Sequence, residues 1–373
     1  MISLYFFVTL NVLIGLTMGL TPYISRKSFP FGINLPVVEE TESVIKNQKK
    51  SYFLINFGLS LILGILLLII SSIRPNTSEE TLVYYSMISM FILLIVSLYT
   101  YITRHKFLIN YKQNLTLNIE KKQRVLVDLS FRDEKLIFPT SYLVGINLVF
   151  VLLSVFVTVL NYDNIPEMIV TQWDFNMNPS SFTEKSWLSV MAIPMLQLFL
   201  TAVMGVTNQA YVSAKQQIDG KNPEVSAAKS KAFRKKSSLL NLVISILTQL
   251  LMLSIQIAIV YESVSPSIIM WLSIGFTVII LGITLWFSLR YGQGGDRLQD
   301  VDVPLMEGEK HETYDDNDDY WKLGMIYFNK NDPAFWVEKR MGVGMTFNFA
   351  RWESWAFMLG VLIIPFIIAF FMS

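Results

Sequence analysis

The chain has 373 residues, 53% of them hydrophobic, with a formal net charge of +1 and no cysteine. That apolar content excludes an ordinary soluble domain, and the missing thiols exclude disulfides, thiol catalysis, palmitoylation, iron–sulfur clusters and cysteine zinc sites. The two histidines, His105 and His311, are far apart in sequence, so no catalytic His₂ or His₃ zinc centre is expected and no cofactor is assigned.

Eight stretches lack Asp, Glu, Lys and Arg: 2–21, 52–73, 82–103, 140–160, 188–210, 239–261, 265–289 and 354–372. Each supplies about 20 residues, enough helix to cross a hydrocarbon core of roughly 30 Å. Segments 22–51, 104–139, 211–238 and 290–353 hold 28 of the 30 Lys and Arg, whereas the alternate loops keep only Arg74 and Lys185. Positive charge stays cytoplasmic, so both termini are expected outside. The first span follows Met1 with no basic residue before it, and Arg26 and Lys27 come after it. An uncleaved span is the reading, rather than a signal peptide.

After the first span, Pro22, Pro30, Gly32 and Pro36 favour a turning path, with Asn34, Leu35 and Pro36 read as part of a proline-shaped linker. From Glu39 the run VEETESVIKNQKK places acids before lysines, which predicts a short helix entering span 2. Span 3 is expected to continue through RHKFLINYKQNL, and RVLVDLSFR alternates as a short strand. In the one long outer loop, 161–187, IVTQWDF reads as a strand and MNPSSF as a turn. Pro194 predicts a kink in span 5, and the GQGGD run at 292–296 reads as a helix stop. Residues 290–320 read as an acidic flexible linker, in which Asp315, Asp316, Asn317, Asp318 and Asp319 lack the glycine and glutamate of a calcium loop. Residues 321–352 are dense in aromatics and alternate, which predicts a β-hairpin followed by a glycine-bearing strand.

The expected fold class is therefore an all-α polytopic membrane protein with eight transmembrane helices, N-out and C-out, with a small cytoplasmic β-rich module before the last helix. Its parts are three N-terminal helices (1–139, with cytoplasmic segments 22–51 and 104–139) and a four-helix membrane domain (140–289, with outer loop 161–187). The linker (290–320), the aromatic and glycine module (321–352) and the last span (353–373) complete the chain. No span carries a carboxylate or histidine, so intramembrane proteolysis and proton coupling through a buried acid are not expected. Asn11, Asn56, Asn147, Gln197, Asn208, Gln209, Asn241, Gln249 and Gln256 lie in or near the spans. They are read first as bridges between helices and second as the lining of a polar path. Gly15 and Gly19 are read as a close-packing pair. No nucleotide-binding or hydrolase motif occurs, and no basic stripe suggests nucleic acid.

Two stretches resemble a known family. YDNIPEMIVTQWDFNMNPSSFTEK, through Pro166, Thr171, Trp173, Asp174, Pro179, Phe182 and Lys185, resembles the extracellular signature of a bacterial membrane domain of unknown function. The sporulation-delaying-protein immunity proteins (SdpI-like) share that domain. Gln172 stands where that pattern has histidine and Met177 where it has glycine, departures that touch any role needing the imidazole or the tight turn. The C-terminal stretch resembles a cytoplasmic module often appended to such proteins, through Trp321, Gly324, Tyr327, Asn329, Asp332, Pro333, Lys339, Arg340, Gly342, Gly344 and Asn348. FGINLP (31–36) and RYGQGG (290–295) are similar to that family as well. The resemblance implies a multi-pass protein of the bacterial plasma membrane and a recognition, immunity or sensor role rather than catalysis. Its partners would be the lipid bilayer, an extracellular peptide and a cytoplasmic protein or regulator. Pro166, Thr171, Gln172, Trp173, Asp174, Phe182 and Lys185 are the candidate ligand-binding residues, although on composition Trp173, Phe175, Phe182 and Trp187 read first as interfacial anchors and second as the wall of a recognition site. The module's Lys339, Arg340 and Arg351, with Trp336 and Trp352, are open to two readings, a surface lying on anionic lipid or a self-contained fold. The competing functional class is a permease with a polar path among spans 4–7.

Overall fold

The computed structural model describes residues 2–35, 39–74, 77–115, 137–174, 177–215, 223–261, 264–299 and 318–370. Nine helices occur among them, from α1 (Ile2–Ile24), α2 (Glu39–Ile73) and α3 (Glu79–Asn114) to α4 (Thr140–Leu160) and the one-turn α5 (Trp187–Val190). They continue with α6 (Ala192–Ser213), α7 (Pro223–Val260), α8 (Pro266–Tyr291) and α9 (Trp352–Phe370). Helix α2 starts at Glu39 and α3 runs on to Asn114, as the charge order and the continued pattern predict. The expected strand at 124–132, Phe175, His311, and Asp315 to Asn317 lie outside the described residues.

Seven helices are long and apolar enough to cross a membrane: α1, α2, α3, α4, α7, α8 and α9. The expected fifth span, 188–210, folds as α5 and the 22-residue α6, which falls outside that set. Gln197, Thr201, Asn208 and Gln209 dilute the apolar content of α6, and the first three are buried. Pro194 does not kink this helix. The chain breaks at Met191 (ψ 0°), and Pro194 falls in the first turn of α6, where a missing N–H leaves no helix bond unmade.

Two three-helix groups form the bundle. In the first, α1 packs against both α2 and α3. A Cβ at Gly15 would overlap the Ser60 side chain, and one at Gly19 would meet Phe53, so both glycines serve close helix approach. The Asn11 amide donates to Ser89, and Tyr52 bonds Ser97 at 2.9 Å. In the second group, α4 and α7 run parallel with a constant offset of 98 residues, as Asn147 to Ser245 (3.1 Å) and Gln256 to Thr158 (2.6 Å) show. Helix α6 runs antiparallel between them: Gln249 donates to the Gln197 carbonyl (3.1 Å), and Ser238 donates to Asn208 (2.6 Å). The amide donors of Asn147, Asn208, Asn241, Gln249 and Gln256 all bridge neighbouring helices or the segment beside them.

Three antiparallel hairpins complete the fold: β1 (Met168–Trp173) with β2 (Pro179–Glu184), β3 (Trp321–Lys322) with β4 (Ile326–Tyr327), and β5 (Trp336–Glu338) with β6 (Met345–Phe347). Two of these readings are corrected by the structure. Pro179–Glu184 is a strand, not a turn, because the turn closes earlier between Asp174 and Asn178 and proline is tolerated at a strand's first residue. The C-terminal module holds two hairpins rather than one, the second closed through Gly342 and Gly344, both at positive φ.

Candidate functional site

The two ends of the bundle are built differently. At one end, residues from all four basic segments meet around the C-terminal module. Here Phe29, Phe31, Ile33 and Leu35 alternate along the loop after α1, and all four are buried. Phe31 packs edge-on against Tyr52 (5.6 Å) and beside Tyr101 (5.9 Å). Its carbonyl accepts from the Tyr101 hydroxyl (3.0 Å) and lies 2.9 Å from His105 Nδ1. The Tyr101 hydroxyl also donates to the Leu323 carbonyl of the module (2.8 Å). Gly32 and Gly324, at φ +78° and +68°, touch backbone to backbone, and a Cβ on Gly324 would come within 2.7 Å of the Gly32 Cα. Only glycine fits both the conformation and the approach.

Glu338, on β5, is wholly buried. Its Oε2 accepts from Arg26 (3.0 Å), and its Oε1 accepts from Arg234 (3.2 Å) and Ser230 (3.0 Å). One carboxylate thus ties the end of α1, the start of α7 and the module together. Arg234 also donates to the carbonyls of Tyr211, Val212 and Ala214 at 2.8, 3.1 and 2.8 Å. A cation there satisfies the last carbonyls of α6 and suits the negative end of its dipole. The next residue, Lys215, pairs its backbone with β5: its N–H donates to the Trp336 carbonyl (2.9 Å), and its carbonyl accepts from Glu338 (3.2 Å).

The candidate residues of the module lie within this clasp or build its core. Trp321 and Tyr327 pack at 5.2 Å, with Val337 beneath them. Arg340 is 1% exposed, stacks over Trp321 and Phe29, donates to the Gly32 carbonyl (3.1 Å) and pairs with Asp318. It is therefore internal, not part of a lipid-facing surface. Asp318 also takes Lys112 (2.8 Å) and the Asn34 N–H (3.1 Å). Burial works to raise its pKa, but the Arg340 and Lys112 charges hold the carboxyl below the usual carboxylate range. Asp332 accepts from Lys215 (2.7 Å) and Tyr327 (2.6 Å), which outweigh its burial and likewise lower its pKa. Asn348 bonds Asn329 and Asp332 through its amide N–H (2.8 and 3.1 Å), and the Pro333 carbonyl accepts from Arg351 (3.0 Å). Gly342 N–H donates to Ser25 (2.7 Å), and Gly344 exchanges two hydrogen bonds with the buried Gln293 amide (2.7 and 2.9 Å). Lys339 contributes its backbone N–H to the Gly344 carbonyl. The described ends of the expected flexible linker, 290–299 and 318–320, are packed into this assembly rather than free. Gly292 at φ +66° does end α8, as the glycine run predicts.

At the opposite end, β1 and β2 project as a hairpin. Thr171 lies at a bulge between Val170 and Gln172. Gln172, Trp173 and Phe182 are exposed, with Trp173 at 40% and Phe182 at 48%. Asp174 closes the turn by accepting from the Asn178 backbone (2.7 Å) and side chain (3.0 Å). Lys185 faces inward: its ammonium donates to the Ile165 carbonyl (2.9 Å), beside Glu167 (3.6 Å) and over the Tyr162 ring (5.0 Å). Tyr162 stacks on Trp187 at 3.9 Å. Pro166 is half-buried at the hairpin's base, where Ile165, Ile169, Val190 and Val260 form a core. Of the seven candidate residues, Asp174 and Lys185 are thus engaged in holding the hairpin, and Gln172, Trp173 and Phe182 are presented outward.

Sequence reasoning missed Arg26, Arg234, Glu338, Lys215, Gln293, Tyr101 and His105. Their one legible signal was the alternation of Phe29, Phe31, Ile33 and Leu35, apolar residues at period two in a charged loop. Among the described residues, no three His, Asp or Glu side chains converge in a way that would hold a metal ion.

Residues 149–198 match a domain of unknown function, DUF1648, and residues 330–355 match a family of unknown function, DUF5808. The first match spans most of α4, the hairpin and the start of α6. The second spans β5, β6 and the start of α9, so Trp321, Gly324, Tyr327 and Asn329 fall outside it. No curated protein and no solved structure matches the chain.

Proposed function

We propose that this chain is a non-enzymatic receptor of the recognition, immunity or sensor type, in which the hairpin meets an extracellular peptide or envelope component. In this reading α6 is a span as well, the fifth of eight, both termini lie outside, and the clasp faces the cytoplasm of a bacterial cell. The observation that carries it is the course of α6. It follows α5, which the Ser186–Ser189 capping box joins to the hairpin, and its last residues are held by Arg234 and joined to β5 through Lys215. A displacement of the hairpin would therefore reach the module through α5, the break at Met191 and the length of α6. The charge partition and the resemblance to SdpI-like immunity proteins support the same orientation and role. The test is tolerance of cells to a panel of envelope-active peptides with the Trp173→Ala/Phe182→Ala variant. Loss of tolerance at unchanged protein level is expected, and unchanged survival across the panel sinks the reading.

A permease is the second reading. It is favoured by the side-chain oxygens of Asn147, Gln197, Gln249 and Gln256, which are buried among α4, α6 and α7 and accept no hydrogen bond from the protein. Solute flux into vesicles, lowered by Gln249→Leu, would support it. Flux equal to that of empty vesicles would exclude it.

A further inference from the structure

Most cations of the clasp have a carboxylate within reach: Arg26 and Arg234 on Glu338, Lys215 on Asp332, Lys112 and Arg340 on Asp318. One corner departs from this. Where α1 and α8 finish, Lys27, Lys49, Lys229 and Arg297 gather about a single carboxylate, Asp296. The Asp296 carboxylate already accepts the Lys27 backbone N–H (2.6 Å), and the Lys229 ammonium lies 3.5 Å from the Asp296 carbonyl. The Arg297 guanidinium donates to the Leu289 carbonyl (2.5 Å) and to the Tyr23 carbonyl, which fixes it across the ends of α8 and α1. Burial, and then the nearby Arg297 charge, pushes the Lys49 ammonium down to about 8; Asp296 opposes them, Lys27 adds to them, and no ion pair joins Lys49 among the described residues. Glu42, which also feels Lys27, is taken by Lys46 at 2.8 Å. Among the described residues, four cations share one acid.

The corner also lies at a defined depth. Tyr23 packs edge-on against Phe53 at 6.4 Å, and Lys27 and Lys49 are each four residues from that pair, on the basic side. One helical turn is about 5.4 Å. Lys49 therefore stands about one turn of α2 beyond Phe53. The Arg297 guanidinium sits on the Leu289 and Tyr23 carbonyls at the ends of α8 and α1, which places the corner in the headgroup layer with aromatic rings on its membrane side. We propose that Lys27, Lys49, Lys229 and Arg297 bind the phosphate of an anionic phospholipid from the facing leaflet. The surplus of positive charge among the described residues selects the anion, and the depth selects a lipid phosphate over one in bulk solution.

The full-length protein in phosphatidylcholine nanodiscs doped with phosphatidylglycerol tests this, with bound lipid read by native mass spectrometry. The wild type is expected to retain phosphatidylglycerol preferentially, and Lys27→Gln/Lys49→Gln to weaken that preference roughly 10- to 30-fold, at about 1 kcal/mol per lost charge. Lys27→Arg/Lys49→Arg, which keeps the charge, should bind as the wild type does. Lys46→Gln/Lys50→Gln removes the same charge one turn or less away and should bind as the wild type does too. Equal loss in this second pair would reduce the effect to bulk charge and overturn the site. So would wild-type binding of inorganic phosphate or glycerophosphate as tight as that of the lipid, or no preference for phosphatidylglycerol at all.

Discussion

The clasp and the hairpin spend their polar residues in opposite ways. In the clasp, a carboxylate and two guanidinium groups are buried together, and each guanidinium pairs with the carboxylate. On the hairpin, the charged residues Asp174 and Lys185 shape the backbone, while Gln172, Trp173 and Phe182 remain on the surface. Burying an ion triad contributes little net stability compared with an apolar core, yet removing one member is costly because the others are stranded. The clasp is thus positioned to fix one arrangement of several helix ends, and the hairpin to change its surroundings without disturbing the fold.

That contrast predicts unequal responses to truncation. Glu338→Ala leaves Arg26 and Arg234 buried without their carboxylate and is expected to cost about 3–5 kcal/mol of stability. Trp173→Ala/Phe182→Ala touches exposed side chains and is expected to stay within about 0.5 kcal/mol per site. Unfolding of both variants in the same detergent decides between them. A hairpin variant as unstable as Glu338→Ala would show that the two ends are not distinct in kind.

A smaller loss tests whether the clasp depends on its backbone as well as its charges. Gly32→Ala places a Cβ at φ +78° against the Gly324 backbone. The left-handed conformation alone costs about 1–2 kcal/mol for an L-residue, and the contact adds to it. The expected signature is faster proteolysis at the loop after α1 with the helices intact. Wild-type resistance would mean that the Gly32–Gly324 approach is not needed to seat the module.

These differences explain what the sequence could reveal. Helices announce themselves through uninterrupted apolar runs, and seven of the expected eight satisfy the length and hydropathy of a span. Helix α6 escapes because its amides face its neighbours, so the same residues that bind it in place lower its hydropathy. The clasp was illegible for a different reason. Arg26 and Lys27 are adjacent basic residues after a span, and either alone reads as a topology signal. Yet Arg26 is buried on Glu338, while Lys27 is exposed. The choice between them is made by Gly294, whose missing side chain leaves room for the Arg26 guanidinium, more than 260 positions away in the chain. On the hairpin, β1 was legible from Ile169, Val170 and Thr171, whereas Pro179, Ser180 and Ser181 carry turn chemistry into a strand.

The smallest expected effect is a gain, and it bears on the hairpin alone. Met177 lies within the turn that Asp174 and Asn178 close, at φ +64°, in the left-handed region that favours glycine. It stands at the position where the resembling pattern has glycine, so the chain keeps the turn's conformation without the residue that adopts it most easily. The Asp174–Asn178 bonds, including the backbone N–H of Asp174 to the Asn178 carbonyl at 2.9 Å, hold methionine there. Met177→Gly relieves a strain of about 1–2 kcal/mol and adds back roughly 0.5–1 kcal/mol of chain entropy in the unfolded state. The net expectation is a gain of a few tenths to about 1 kcal/mol, read as slower hydrogen exchange at the Asp174 and Met177 amides with the clasp unchanged. A loss instead would mean that the methionine side chain packs productively on the hairpin, and that the hairpin is held by more than its turn and its base.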